Sequence, residues 1–93
     1  MDAELKAKWI AALRSGKYGQ ARFTLKERGR PEYCCLGVLC LVAKIPVRST
    51  GHETTYDRLD RMLGEALRHE CTHVNDVEGK TFPEIADWLE SQP

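Results

Sequence analysis

Apolar positions recur with a helical period at both ends of the chain, and a dense apolar run separates them. Leu5, Trp9, Ala12 and Leu13 fall three and four apart, with Lys6, Lys8 and Arg14 off that face. That spacing predicts a first helix over residues 2–15, capped by Asp2 and ended by Gly16, with Trp9 as its core anchor. The period then changes to two. Phe23 and Leu25 alternate with Arg22, Thr24 and Lys26, as in a short half-buried strand. Glu27-Arg28-Gly29-Arg30-Pro31 reads as a turn, and residues 32–35 as a returning strand. Residues 33–43, Tyr33-Cys34-Cys35-Leu36-Gly37-Val38-Leu39-Cys40-Leu41-Val42-Ala43, form the only continuous apolar run. A short apolar run is ambiguous between buried helix and buried strand, but residues 36–43 fit a buried helix better. Pro46 and Gly51 mark residues 44–55 as a loop, with a short strand at 53–56.

Thr54-x-x-Asp57 resembles a capping arrangement for a third helix. Leu59, Met62, Leu63, Ala66, Leu67, Cys71 and Val74 line one broad face of it, and Gly64 is a potential break. Residues 75–79 read as a turn. Thr81-Phe82-Pro83-Glu84 is a capping box that opens the last helix, whose apolar face is Phe82, Ile85, Ala86, Trp88 and Leu89. The expected fold is therefore α+β: about four helices and a small antiparallel β-hairpin at residues 22–35, in a single compact domain spanning 1–93. The expected core is Trp9, Leu13, Phe23, Leu36, Val38, Leu39, Val42, Leu63, Phe82, Ile85 and Trp88.

Composition narrows the class. Ninety-three residues suggest one domain, and a chain of that size buries only about two thirds of its unfolded surface. Net charge is zero, yet residues 1–48 carry +6 and residues 49–93 carry −6. Either the halves neutralise each other by packing, or the molecule presents one basic and one acidic face that steer partners. Leu5, Ile10 and Leu13 alternate with charge instead of forming the apolar core of a signal peptide. The apolar run is shorter than the roughly 20 residues that span a bilayer. No membrane association is expected. A cytoplasmic protein with reduced thiols is.

Four cysteines invite metal or redox chemistry. Cys34 and Cys35 are adjacent, which strains a bridge between them. On a helix, Cys35 and Cys40 would point about 140° apart. They read as small buried hydrophobes. A reactive thiol at the start of the second helix stays open. His69-Glu70-Cys71-Thr72-His73 is a literal H-E-x-x-H. On one helix His69 and His73 would project together to bind zinc, with Glu70 as the base of a hydrolase. No third ligand stands at a recognisable spacing: the extended motif would need Gly at Asp76 and His at Gly79. The turn before the last helix prompts a helix-turn-helix reading, but Glu84, Asp87 and Glu90 would repel phosphates. A nucleic acid would instead meet Arg22, Lys26, Arg28 and Arg30 on the hairpin. There is no Gly-rich phosphate loop and no G-x-S-x-G.

Three segments carry a resemblance. They are Leu5-Lys6-x-Lys8-Trp9-x-x-Ala12-Leu13-Arg14-Ser15-Gly16-x-Tyr18, then Tyr33-Cys34-Cys35-Leu36-Gly37-Val38-Leu39-Cys40, then Val74-Asn75-Asp76 with Lys80-Thr81-Phe82-x-Glu84-Ile85-Ala86-Asp87-Trp88-Leu89-Glu90. In this order they resemble a family of small uncharacterised proteins of tailed bacteriophages and prophages, over most of the chain outside residues 46–67. The resemblance implies expression in a bacterial host cytoplasm and no assigned enzyme activity. The family pattern before Asn75-Asp76 is an ordinary Leu-containing helix, so His69-Glu70-x-x-His73 departs from it, and the middle segment is short. The function expected first is a non-enzymatic accessory protein that binds and modulates a host protein. A zinc-dependent hydrolase and a nucleic-acid-binding protein are the alternatives.

Overall fold

The computed structural model describes residues 1–48, 51 and 53–92. Among them the elements run α1 (Ala3–Arg14), β1 (Gly19–Gln20), β2 (Glu32–Tyr33), α2 (Cys35–Ala43), α3 (Thr55–Leu63), α4 (Glu65–Thr72), a π-helical turn (His73–Val77) and α5 (Phe82–Ser91). The fold is α+β, with α2 packed against α1 and α4, and α5 against α1.

Local chemistry explains most boundaries. The Asp2 carboxylate accepts from Leu5 N at 2.8 Å and starts α1, which buries Trp9, Ile10 and Leu13. Reciprocal capping boxes start α3 (Thr54 with Asp57) and α5 (Thr81 with Glu84). Gly64, at φ 88° and ψ 145°, leaves helical geometry and splits the long third helix into α3 and α4. No short strand forms at residues 53–56; α3 begins at Thr55 instead. The buried Thr55 hydroxyl donates to Pro46 O (2.9 Å), and Thr55 N donates to Arg48 O (3.0 Å), which pins the preceding loop. Ser49, Thr50 and His52 of that loop lie outside the described residues.

The antiparallel hairpin is corrected. β1 and β2 pair in parallel, Gly19 with Glu32 and Gln20 with Tyr33. The expected antiparallel pairing of residues 22–35 shrinks to one bridge, Lys26 with Tyr33. β2 is thus held from both sides: Ala21 N donates to Tyr33 O (2.8 Å), and Cys34 N donates to Leu25 O (3.2 Å). Gly37 permits the second contact, because a Cβ there would lie 1.9 Å from Leu25 O. That close approach is why a glycine interrupts the apolar run.

The core centres on Trp9, Leu13, Leu36, Val38, Leu39, Leu59, Ile85 and Leu89. Phe82 is buried as expected, and Val42, Leu63 and Trp88 pack against the core half-buried. Phe23 is a second correction: it is 77% exposed. Its flanks, Ala21 and Leu25, are each 6% exposed and tied to β2, so residues 22–24 arch outward between them.

A buried amide joins the two halves. Asn75, expected in a turn, is fully buried in the π-helical turn. Its Oδ1 accepts from Cys35 N (3.2 Å) and Gln20 Nε2 (3.0 Å), and its Nδ2 donates to Ala21 O (2.9 Å) and Asp76 Oδ1 (2.8 Å). The N-cap residue of α2, Cys34, makes no side-chain cap hydrogen bond. Asn75 supplies a cap from 40 residues away.

Candidate functional site

Two surfaces gather the residues that could carry chemistry. The first is the arch and turn over residues 22–31. Arg22, Phe23, Lys26, Arg28 and Arg30 are all exposed. Arg22 Nη2 donates to Gly79 O at 3.0 Å, and Arg30 lies 3.9 Å from Glu32. Lys26 and Arg28 form no ion pair among the described residues. Phe23, between Arg22 and Lys26 in sequence, has φ 65°. A left-handed backbone at a bulky residue costs on the order of 1–3 kcal/mol and persists only where its surroundings impose it. Here the buried, hydrogen-bonded flanks impose it, and they place the ring in solvent.

The second surface is a cavity of about 560 Å³ lined by His69, Glu70, His73, Val74, Glu78 and Trp88. α4 contributes His69 and Glu70, the π-helical turn His73 and Val74, and α5 Trp88. The H-E-x-x-H residues therefore meet in one place, but not as a metal centre. α4 ends at Thr72, and His73 starts the wider π turn. The imidazoles have separate partners: His69 Nε2 lies 3.4 Å from Arg68 Nη2 and 3.8 Å from Glu65 Oε1, and His73 Nε2 lies 3.5 Å from Glu78 Oε2. Among the described residues no three His, Cys, Asp or Glu side chains are arranged to hold a metal ion. A catalytic zinc needs three protein ligands and an open fourth position, so this donor set does not fit one.

The cysteines are shielded from solvent. All four are free and buried. Burial pushes the Cys34 and Cys40 thiols up to about 11. Cys35 is held well above the ordinary thiol value, first by its contact with the Cys71 thiol and then by burial. Such thiols stay protonated near neutrality, even Cys34 at the α2 N-terminus.

The charge segregation is only partly neutralised. Arg14 of α1 donates to Asp87 (2.7 Å) and Glu90 (2.8 Å) of α5. The Asp87 and then the Glu90 carboxylate raise its basicity. Every other ion pair of the described residues joins partners within one half. The basic arch and the cavity, with its two glutamates, persist as surfaces of opposite charge. They adjoin where Arg22 meets Gly79, next to Glu78.

Sequence reasoning missed three participants. Phe23 sits two residues from buried Leu25, so alternation placed both inside; only the arch separates them. Trp88 lies about 100° from Leu89 on the helical wheel, at the margin of the apolar stripe, and that was a usable signal. Glu78 stood in an expected turn and carried no signal.

The elements define a small α+β domain of five α-helices and one two-stranded parallel sheet among the described residues, with two adjoining surface sites. Residues 1–57 match the family described as "Domain of unknown function (DUF8296)", and the chain belongs to it. The matched part contains the basic arch, while every residue lining the cavity lies beyond it. No curated protein and no solved structure matches the chain. No helix among the described residues is long and apolar enough to cross a membrane.

Proposed function

We propose that this chain is a non-enzymatic accessory protein of phage or prophage origin that binds and modulates a host protein. The supporting observation is Phe23, 77% exposed and held at φ 65° among Arg22, Lys26, Arg28 and Arg30. An exposed phenylalanine in an arginine-bearing segment has a composition enriched at protein interfaces. The surrounding cations suit an acidic patch on the partner. Strain maintained around an exposed ring serves contact rather than stability.

The test compares wild type with Phe23→Gly and Arg28→Glu in affinity capture from bacterial lysate at low salt. Glycine adopts the left-handed backbone freely, so Phe23→Gly is expected to melt at or above wild type while losing the partner. Failure to recover a partner overturns the proposal, as does a partner retained by both variants.

A second reading has its own support. Lys26 and Arg28 lack ion pairs among the described residues, and an exposed ring in a basic segment suits stacking on a base of single-stranded nucleic acid. Fluorescence anisotropy with a labelled single strand tests it. Binding is expected to weaken steeply with salt and to be lost in Phe23→Gly. No binding at low salt ends this reading.

A further inference from the structure

The two tryptophans occupy opposite situations. Trp9 is fully buried, and its indole N–H donates to Cys35 O at 2.8 Å. Trp88 is half-buried and lines the cavity beside Glu70 and Glu78. With the histidines counted neutral, the lining carries two formal negative charges. Lys80, 3.8 Å from Glu78, offsets part of that charge at one side. Glu70 has no ion-pair partner among the described residues. It lies exposed at the cavity, on the helix that follows the break at Gly64.

We infer that this cavity is a docking site for a guanidinium group, the arginine side chain of a protein partner, stacked on Trp88 and paired with Glu70. The chemistry selects guanidinium over other cations. A planar, weakly hydrated cation stacks on an indole face and presents a fork of donors to a carboxylate. An ammonium is more strongly hydrated and pairs only as a point charge. Val74 and the indole supply apolar surface for the methylene stem. The site lies outside the segment matched by the family. In naming a protein as the source of the arginine, the inference rests on the host-protein reading above.

The test uses a capped Gly-Arg-Gly peptide, its lysine and citrulline counterparts, free agmatine, and zinc, each titrated against the full chain. The readout is protection of Trp88 from acrylamide quenching; Trp9 contributes a constant background, and Trp88→Phe assigns the signal. The arginine peptide is expected to protect Trp88, the lysine peptide to bind more weakly, and the neutral citrulline peptide not to bind. Glu70→Gln, an exposed change that leaves the core intact, is expected to weaken the arginine peptide by about fivefold. Equal binding of arginine and citrulline peptides, or an unchanged affinity in Glu70→Gln, overturns the inference. Protection by zinc without protection by the arginine peptide overturns it as well, in favour of a metal site. Agmatine binding more tightly than the peptide overturns the protein source. The two proposals fail separately: if the peptide does not bind but a Phe23-dependent partner is captured, only this inference falls. If the peptide binds and no partner is captured, the guanidinium site stands and the host-protein reading falls.

Discussion

Replacing Asn75 with alanine removes four hydrogen bonds, but the cost is set by what they leave behind. Cys35 N, in a fully buried residue, loses its Asn75 Oδ1 acceptor. Ala21 O, in a residue 6% exposed, loses its Asn75 Nδ2 donor. Gln20 Nε2 keeps a second acceptor, Lys80 O at 2.7 Å, and Asp76 is only half-buried, so these two losses are small. A buried polar group left unpaired costs about 1–3 kcal/mol. Two such groups give about 2–6 kcal/mol for Asn75→Ala. For a domain of this size each kcal/mol lowers the midpoint by about 4–8 °C, so a drop of roughly 8 °C or more is expected. Urea and thermal melts followed by circular dichroism measure it. Gln20→Ala is the comparator: it leaves Asn75 bonded to Cys35 N and Ala21 O, and should cost under about 1 kcal/mol. If Asn75→Ala falls within about 0.5 kcal/mol of wild type, the range of an ordinary surface change, the account of Asn75 as the joint between halves is wrong. Because the same π-helical turn carries His73 and Val74, Asn75→Ala should also weaken binding in the cavity.

Gly37→Ala places a Cβ 1.9 Å from Leu25 O and should destabilise by about 2–3 kcal/mol, read as a lower urea midpoint; an unchanged midpoint would show that residue 25 does not cross α2 so closely. The four buried thiols should resist a disulfide reagent near pH 8 in the native protein and react together once guanidinium unfolds it. Stoichiometric labelling faster than unfolding would contradict the burial described. Asp57 and Glu84 are held below the ordinary values of 3.8 and 4.5 by hydrogen bonds from Thr54 and Thr81 respectively. Their contribution is therefore present above those values and is lost as pH falls through the lower folded values. Melting temperature should decline on acidification below about pH 4.5, and Glu84→Gln should flatten part of that decline; an unaltered acid limb would exclude Glu84 as a contributor.

The helices were legible because their signals are local. Asp2, Thr54 with Asp57, and Thr81 with Glu84 satisfy the first amides of α1, α3 and α5 within four residues, so caps and apolar spacing could be read together. Gly64 announced its break in the same way, through a backbone angle that favours glycine. The strands were not legible. Residues 19–20 carry no alternation and become a strand only because the arch returns β2 alongside them. Phe23 and Leu25 share a strand face in sequence but part company because Ala21 and Leu25 are both tied to β2.

The candidate sites divide along the same line. That His69 and Glu70 precede His73 by four and three residues was a matter of sequence. Whether they converge on a metal was not, since that depended on the π turn and on the carboxylates of Glu65 and Glu78. The basic residues of the arch were visible at once, but the exposed ring among them required the fold. By itself the sequence determined the helices, their caps and the apolar surface they had to bury, because those depend on neighbours within a turn or two. The parallel pairing, the outward Phe23, the Asn75 joint and the cavity against Trp88 were decided only in the tertiary structure. The first three depend on groups from distant segments meeting at the backbone of residues 33–35, the cavity depends on how α4, the π-helical turn and α5 pack together, and no local pattern encodes either.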